Sequence, residues 1–103
     1  MSKNQSVTEI SLVEFCGEFC TERKNEGILE LAKKISTLKA NSNEIRILRK
    51  DVKIMSASFV DELVKLLLSL QVGRKFIETQ LSFNPQLETI YSDQIQRSLA
   101  SRN

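Results

Sequence analysis

Two hydrophobic periods alternate along the whole chain, and that alternation restricts it to folds in which strands and helices take turns. Ile10-Ser11-Leu12-Val13-Glu14-Phe15 carries β-formers with polar interruptions and reads as a strand, and Glu18-Phe19-Cys20 adds a short partner after Gly17. From about Arg23 to Leu38 the period lengthens. Ile28, Leu31, Ala32, Ile35 and Leu38 fall at steps of three and four, opposite Lys24, Glu30, Lys33 and Lys34, as on an amphipathic helix. Thr21 can cap this helix, and Gly27 is either a weak point in it or its late start.

After the polar break Ala40-Asn41-Ser42-Asn43, the run Glu44-Ile45-Arg46-Ile47-Leu48-Arg49 returns to period two and predicts a second strand. Lys50 to Met55 then leads into Ser56-Ala57-Ser58. Phe59 to about Leu70 predicts the most deeply buried helix, with Val60, Leu63, Val64, Leu67 and Leu68 on its stripe beside Leu66 and Leu70. That helix is expected to stop at Val72-Gly73 as a glycine-terminated helix does, with one more turn from Arg74 to Glu78. Thr79 to Phe83 alternates as a strand, and Asn84-Pro85 announces a last helix with Leu87, Ile90, Tyr91, Ile95 and Leu99 on its stripe. Strands alternating with helices in so short a chain predict an α/β (α+β) domain, a small mixed sheet with helices packed mainly on one face.

One domain over 1–103 is expected, with about 1–7 and 101–103 frayed, because 103 residues bury one core and leave no room for a second. Apolar residues at 41%, charged residues at 27% and a net charge of +2 are ordinary for a globular protein and point to no polyanionic partner. No window approaches the roughly 18 apolar residues of a membrane span, and the first residues lack the apolar run of a signal peptide. A soluble, cytoplasmic protein without membrane association is the resulting expectation.

Histidine is absent and the two cysteines, Cys16 and Cys20, have no third or fourth ligand in sequence, so neither a metal site nor any other cofactor is expected. In an extended segment those cysteines would stand roughly 13 Å apart, too far for a disulfide unless Gly17 forms a turn. Reduced, mainly structural thiols are expected in a cytosolic setting. Gly17, Gly27 and Gly73 are too scattered for a phosphate-binding loop. Asp61 and Glu62 are the only paired acids near an apolar junction, and adjacent helical residues diverge in direction, so their expected role is to favour the positive end of the helix dipole. No catalytic residue is assigned, and the chain is read as a non-enzyme. The basic cluster Arg46, Arg49, Lys50 and Lys53 is the one feature directed at nucleic acid; without interleaved aromatics it also fits a solvated sheet edge.

The junction Ile54-Met55-Ser56-Ala57-Ser58-Phe59-Val60-Asp61-Glu62-Leu63 places small hydroxyls where a strand hands over to a helix, beside free N–H groups. Ser58 reads as the helix cap, in capping-box spacing with Asp61, contributing on the order of 1 kcal/mol. Ser58-Phe59-x-Asp61-Glu62-Leu63 after a strand resembles the signature of a STAS-like family of unassigned function, found in bacteria and their mobile elements. The resemblance runs along nearly the whole chain, through Phe15 to Cys20, the first helix, Glu44 to Ile54, and Leu81-Ser82-Phe83-Asn84.

That family is similar to the STAS domains of anti-sigma-factor antagonists, which implies a mixed sheet, helices packed on it, and a switch serine at a helix start. Their pattern is an aspartate, two small hydroxyl-bearing residues and a glycine after an apolar strand. Matched here, Ser58 falls on the phosphoacceptor, Ala57 on the other small position, Ser56 on the aspartate and Phe59 on the glycine. The resemblance implies a regulatory protein-protein interaction module whose partner is a histidine-kinase-like ATPase, met by Ser56, Ala57, Phe59, Asp61 and Glu62. A nucleic-acid accessory using Arg46, Arg49, Lys50 and Lys53 is the alternative, and homodimerisation through leftover apolar surface would serve either role.

Overall fold

The computed structural model describes residues 7–21, 27–41, 43–84 and 89–101. In chain order these form β1 (Val7–Ser11), α1 (Leu12–Cys16), β2 (Phe19–Cys20), α2 (Ile28–Leu38), a short 3-10 helix (Lys39–Asn41), β3 (Glu44–Leu48), β4 (Ile54–Met55), α3 (Ala57–Ser69), α4 (Arg74–Thr79), β5 (Leu81–Asn84) and α5 (Thr89–Ser101). The α/β class follows the alternation of periods. Every described strand pairing is parallel: β3 lies between β1 and β5, and β2 pairs with β4 in a separate two-stranded ladder.

Parallel neighbours need crossover connections, and here each crossover carries helix. The register sets Ile10 beside Ile47, and Ile47 beside Phe83; one step earlier Thr8, Ile45 and Leu81 form the adjoining row. Ile10, Ile45, Ile47 and Leu81 are buried. The alternate row is Glu9, Arg46 and Ser82, and it faces outward. There Arg46 lies 3.5 Å from both Glu9 and Glu44, and the Ser82 hydroxyl donates to Glu44 at 3.2 Å. One sheet face is thus apolar and covered, the other polar, with α2 and α3 packed against each other and α5 against α3.

The strand expected over Ile10 to Phe15 is corrected to a strand that ends at Ser11 and a helix that starts at Leu12. Ser11 pairs with Leu48, the last residue of β3, so the ladder is exhausted there. Leu12, Phe15 and Cys16 also have helical spacing, and a five-residue run does not separate the two periods. Helix α2 starts late, at Ile28; Arg23 and Lys24 of the expected range lie outside the described residues, as do Ser42, Pro85, Leu87 and most of the terminal segments read as frayed. On α5, Leu99 is buried and Ile95 half-buried, while the side chains of Ile90 and Tyr91 lie outside the description.

Gly27 stands immediately before that start. A Cβ there would overlap the Phe15 carbonyl group, so α1 and the beginning of α2 touch backbone to backbone. Helix α3 buries Phe59, Val60, Leu63, Val64 and Leu67, and Leu66, Leu68 and Leu70 pack partly against the same core. Its end differs from expectation: the chain turns at Gln71, with φ 70°, rather than at Gly73. The Val72 amide donates to Leu67 at 2.9 Å and the Gln71 amide to Leu68 at 3.1 Å, the paired bonds of a Schellman motif, with Val72 buried behind them. Van der Waals burial of Val72 fixes the turn, and Gln71 bears the left-handed strain.

Two outcomes follow for denaturant unfolding. Gly27→Ala should lose at least about 3 kcal/mol, because backbone rather than a movable side chain meets the new methyl; a loss under about 1 kcal/mol contradicts the close approach. Gln71→Gly should gain about 1 kcal/mol by removing the left-handed penalty, and a loss would contradict that terminal geometry.

Candidate functional site

The serine junction is held in place by the β2–β4 ladder. Cys20 and Met55 face inward, and their neighbours Phe19 and Ile54 are exposed side by side on the opposite face, at 56% and 50%. The Lys53 amide donates to the Glu18 carbonyl at 2.8 Å and the Ser56 amide to the Cys20 carbonyl at 2.9 Å. Lys53 and Glu18 also approach to 3.8 Å as exposed charges, an ion pair of little energetic weight.

Ser56, not Ser58, caps the helix. Pinned to Cys20, it keeps an extended backbone (φ −91°, ψ 161°), and its Oγ accepts from the Phe59 amide at 3.2 Å. Helical geometry begins at Ala57, so Ser58 lies inside the first turn and the expected Ser58–Asp61 capping box does not form. The same shift moves Asp61 and Glu62 into the second turn, leaving the first without an acidic side chain. The Ser56 hydroxyl donates to the Thr21 carbonyl at 3.1 Å, which uses its single proton. In the 3.1 Å contact between the two serine oxygens, Ser58 is therefore the donor. The Ser56 hydroxyl is a three-bond hub joining Thr21, the Phe59 amide and the half-buried Ser58.

The remaining residues expected on a partner surface divide. Ala57 is exposed. Phe59 is fully buried in the core, so it anchors α3 and offers no surface, a correction that follows from its place on the inward stripe with Leu63. Asp61 accepts a 2.7 Å hydrogen bond from the buried Ser98 hydroxyl and ties α3 to α5. Glu62 is mostly covered and lies 3.8 Å from Lys65.

The four basic residues do not present one common charge. Arg46 sits between carboxylates on the outer sheet face, Lys53 meets Glu18, Lys50 is exposed in the turn after β3, and half-buried Arg49 directs its charge onto Cys20. A groove of about 420 Å³ runs elsewhere, along β1 between Glu14 and Phe15 of α1 and Lys34 and Leu38 of α2, and shares no residue with the junction. Among the described residues no cluster of three or more His, Cys, Asp or Glu could hold a metal ion, and no helix is long and apolar enough to cross a membrane. Sequence reasoning missed the Thr21 acceptor, the exposed Phe19–Ile54 pair and the influence of the Arg49 charge on Cys20. All three depend on a ladder of two-residue strands, too short to leave a period.

Ser56→Ala should cost about 1 kcal/mol in chemical denaturation, whereas Ser58→Ala should stay within about 0.5 kcal/mol of the parent. The reverse order would return the cap to Ser58.

Comparison with protein-family models, with curated proteins and with solved structures finds no match for this chain.

Proposed function

We propose that the protein is a non-enzymatic regulatory module that binds a protein partner through the face around Ser56, Ala57 and Ser58, and that Ser58 is the switch residue. The observation that carries this reading is the position of Ser58: in the first turn of α3, half-buried, donating to the capping Ser56, on the helix entered from the exposed Phe19–Ile54 ladder. A partner that covers that apolar pair would meet the serines beside it. The resemblance to STAS-like domains supplies the partner class, a histidine-kinase-like ATPase of the anti-sigma type.

Phosphorylation at Ser58 has a defined local consequence. The phosphoester has no hydroxyl proton to give to Ser56, so the link between the two serines is lost. Two opposing charges then act on it. The first-turn amides and the positive end of the helix dipole attract the phosphate, while Asp61 and Glu62, three and four residues on, repel it. Asp61 is the residue bonded to Ser98, so the repulsion is transmitted to the contact between α3 and α5. A charge placed at Ser58 thereby alters both the local surface and the packing of the last helix.

Incubation of the protein with a candidate ATPase and ATP should yield a phosphopeptide covering Met55 to Lys65. Ser58→Asp should weaken partner binding at least tenfold, equivalent to about 1.4 kcal/mol, while Ser58→Ala binds and resists modification. Unmodified protein together with unchanged binding by Ser58→Asp would sink the switch.

A further inference from the structure

Cys16 closes α1 and Cys20 lies in β2, both buried, at 8% and 0% exposure. Gly17 between them takes φ 79° and ψ −174°, a conformation open essentially to glycine alone. That turn folds the chain back and brings together two side chains that an extended segment would hold far apart. The Cys16 thiol donates a hydrogen bond to the Cys20 sulfur. A protonated Cys20 in turn reaches the Gly17 carbonyl oxygen at 3.6 Å. The third group is Arg49, just past β3. Its charge bears on Cys20, and its Nε is buried with no hydrogen-bond acceptor among the described residues.

This arrangement separates the two thiols. The hydrogen bond from Cys16, aided by the Arg49 charge, holds Cys20 below the usual thiol range although burial works the other way. The same hydrogen bond, burial and the neighbouring Cys20 charge push Cys16 well above it. Cys20 is therefore the nucleophile and Cys16 the proton-bearing partner. A buried guanidinium nitrogen without an acceptor is costly in a neutral setting, and a thiolate at Cys20 offsets that cost. Two inert core cysteines would need no such cation.

We propose that Cys16 and Cys20 form a redox-responsive dithiol, converted by hydrogen peroxide to an intramolecular disulfide and restored by a thiol reductant. In the first step the Cys20 thiolate attacks one peroxide oxygen, the O–O bond breaks, and hydroxide leaves, giving a sulfenic acid once the remaining oxygen carries its proton. In the second, the Cys16 sulfur displaces that oxygen as water, its own proton leaving with the products. The sum is two thiols and one peroxide to one disulfide and two waters: sulfur is oxidised and oxygen reduced by two electrons.

The disulfide bears on the junction through two bonds already in place. The Cys20 carbonyl accepts from the Ser56 amide at 2.9 Å, and the Thr21 carbonyl accepts from the Ser56 hydroxyl at 3.1 Å. Closing the ring from Cys16 pulls on β2, and β2 holds the cap of α3. The proposal rests on the thiols and Arg49 and does not depend on phosphorylation of Ser58, so either can fail alone.

The test is thiol counting on the full chain. After peroxide treatment and denaturing alkylation with N-ethylmaleimide, both thiols should be protected, without a covalent dimer. The peptide linking Cys16 to Cys20 should be two hydrogens lighter, and dithiothreitol should restore both labels. Arg49→Gln should slow the reaction severalfold by removing the cation that favours the Cys20 thiolate, and Arg49→Lys should recover most of the rate with circular dichroism unchanged. If Arg49→Gln does not fold, the serine variants decide: Cys16→Ser should stop at a dimedone-trapped sulfenic acid on Cys20, and Cys20→Ser should react at least tenfold more slowly. Two free thiols in folded, peroxide-treated protein would overturn the proposal, as would equal reactivity of the two serine variants or indifference to Arg49 in a folded Arg49→Gln.

Discussion

The middle strand is the constraint on which the rest depends. β3 takes parallel partners on both sides, and Ile45 and Ile47 on its inner face are fully buried. A parallel neighbour cannot be reached by a tight turn, so each pairing obliges the chain to leave the sheet and return along a crossover. The first crossover carries α1, β2 and α2, and the second carries β4, α3 and α4. The strand order β1-β3-β5 steps in one direction, and crossovers of one hand then lay their helices on one face. The contact of α2 with α3 and the polar outer row around Arg46 both express that arrangement.

The serine junction is a by-product of the same architecture. β2 and β4 are the pieces of the two crossovers that run side by side before the main helices begin, and they join as a parallel ladder. Because β4 ends against Cys20, the next residue cannot be helical, and Ser56 becomes the cap by position as much as by residue type. Everything of chemical interest then gathers within a few residues of that ladder: the serines, the paired thiols, Arg49 and the exposed Phe19–Ile54 pair.

What could be read from sequence was what depends on many residues at once. The α3 stripe from Phe59 to Leu67 was legible because the same spacing is kept over more than two turns, and β3 because its alternation is unbroken from Glu44 to Leu48. Single-residue decisions were not. Ser56 and Ser58 are equally good caps, and only the bond from the Ser56 amide to Cys20, a contact across the fold, chooses between them. Leu12 satisfies both periods, and the end of β3 decides for helix. Gln71 carries no mark of a left-handed residue, since burial of Val72 and not a glycine forces that geometry. Arg49 was grouped with Arg46, Lys50 and Lys53 by proximity in sequence, yet it is half-buried and its charge bears on Cys20.

The smallness of the β2–β4 ladder gives the junction its own energy scale. Only two residues from each strand pair, so releasing it breaks a handful of backbone hydrogen bonds and leaves the three-stranded sheet and its buried isoleucines intact. Such a unit opens by local unfolding, far more often than the domain unfolds as a whole. In that opened state Cys20 leaves its covered position, Ser56 gives up the amide bond that makes it a cap, and the Ser58 backbone becomes free to extend. An enzyme that modifies a serine needs an extended strand rather than a helical turn, and an oxidant needs an uncovered sulfur. One small fluctuation would supply both, so the rate of either proposed modification would scale with how often four residues part.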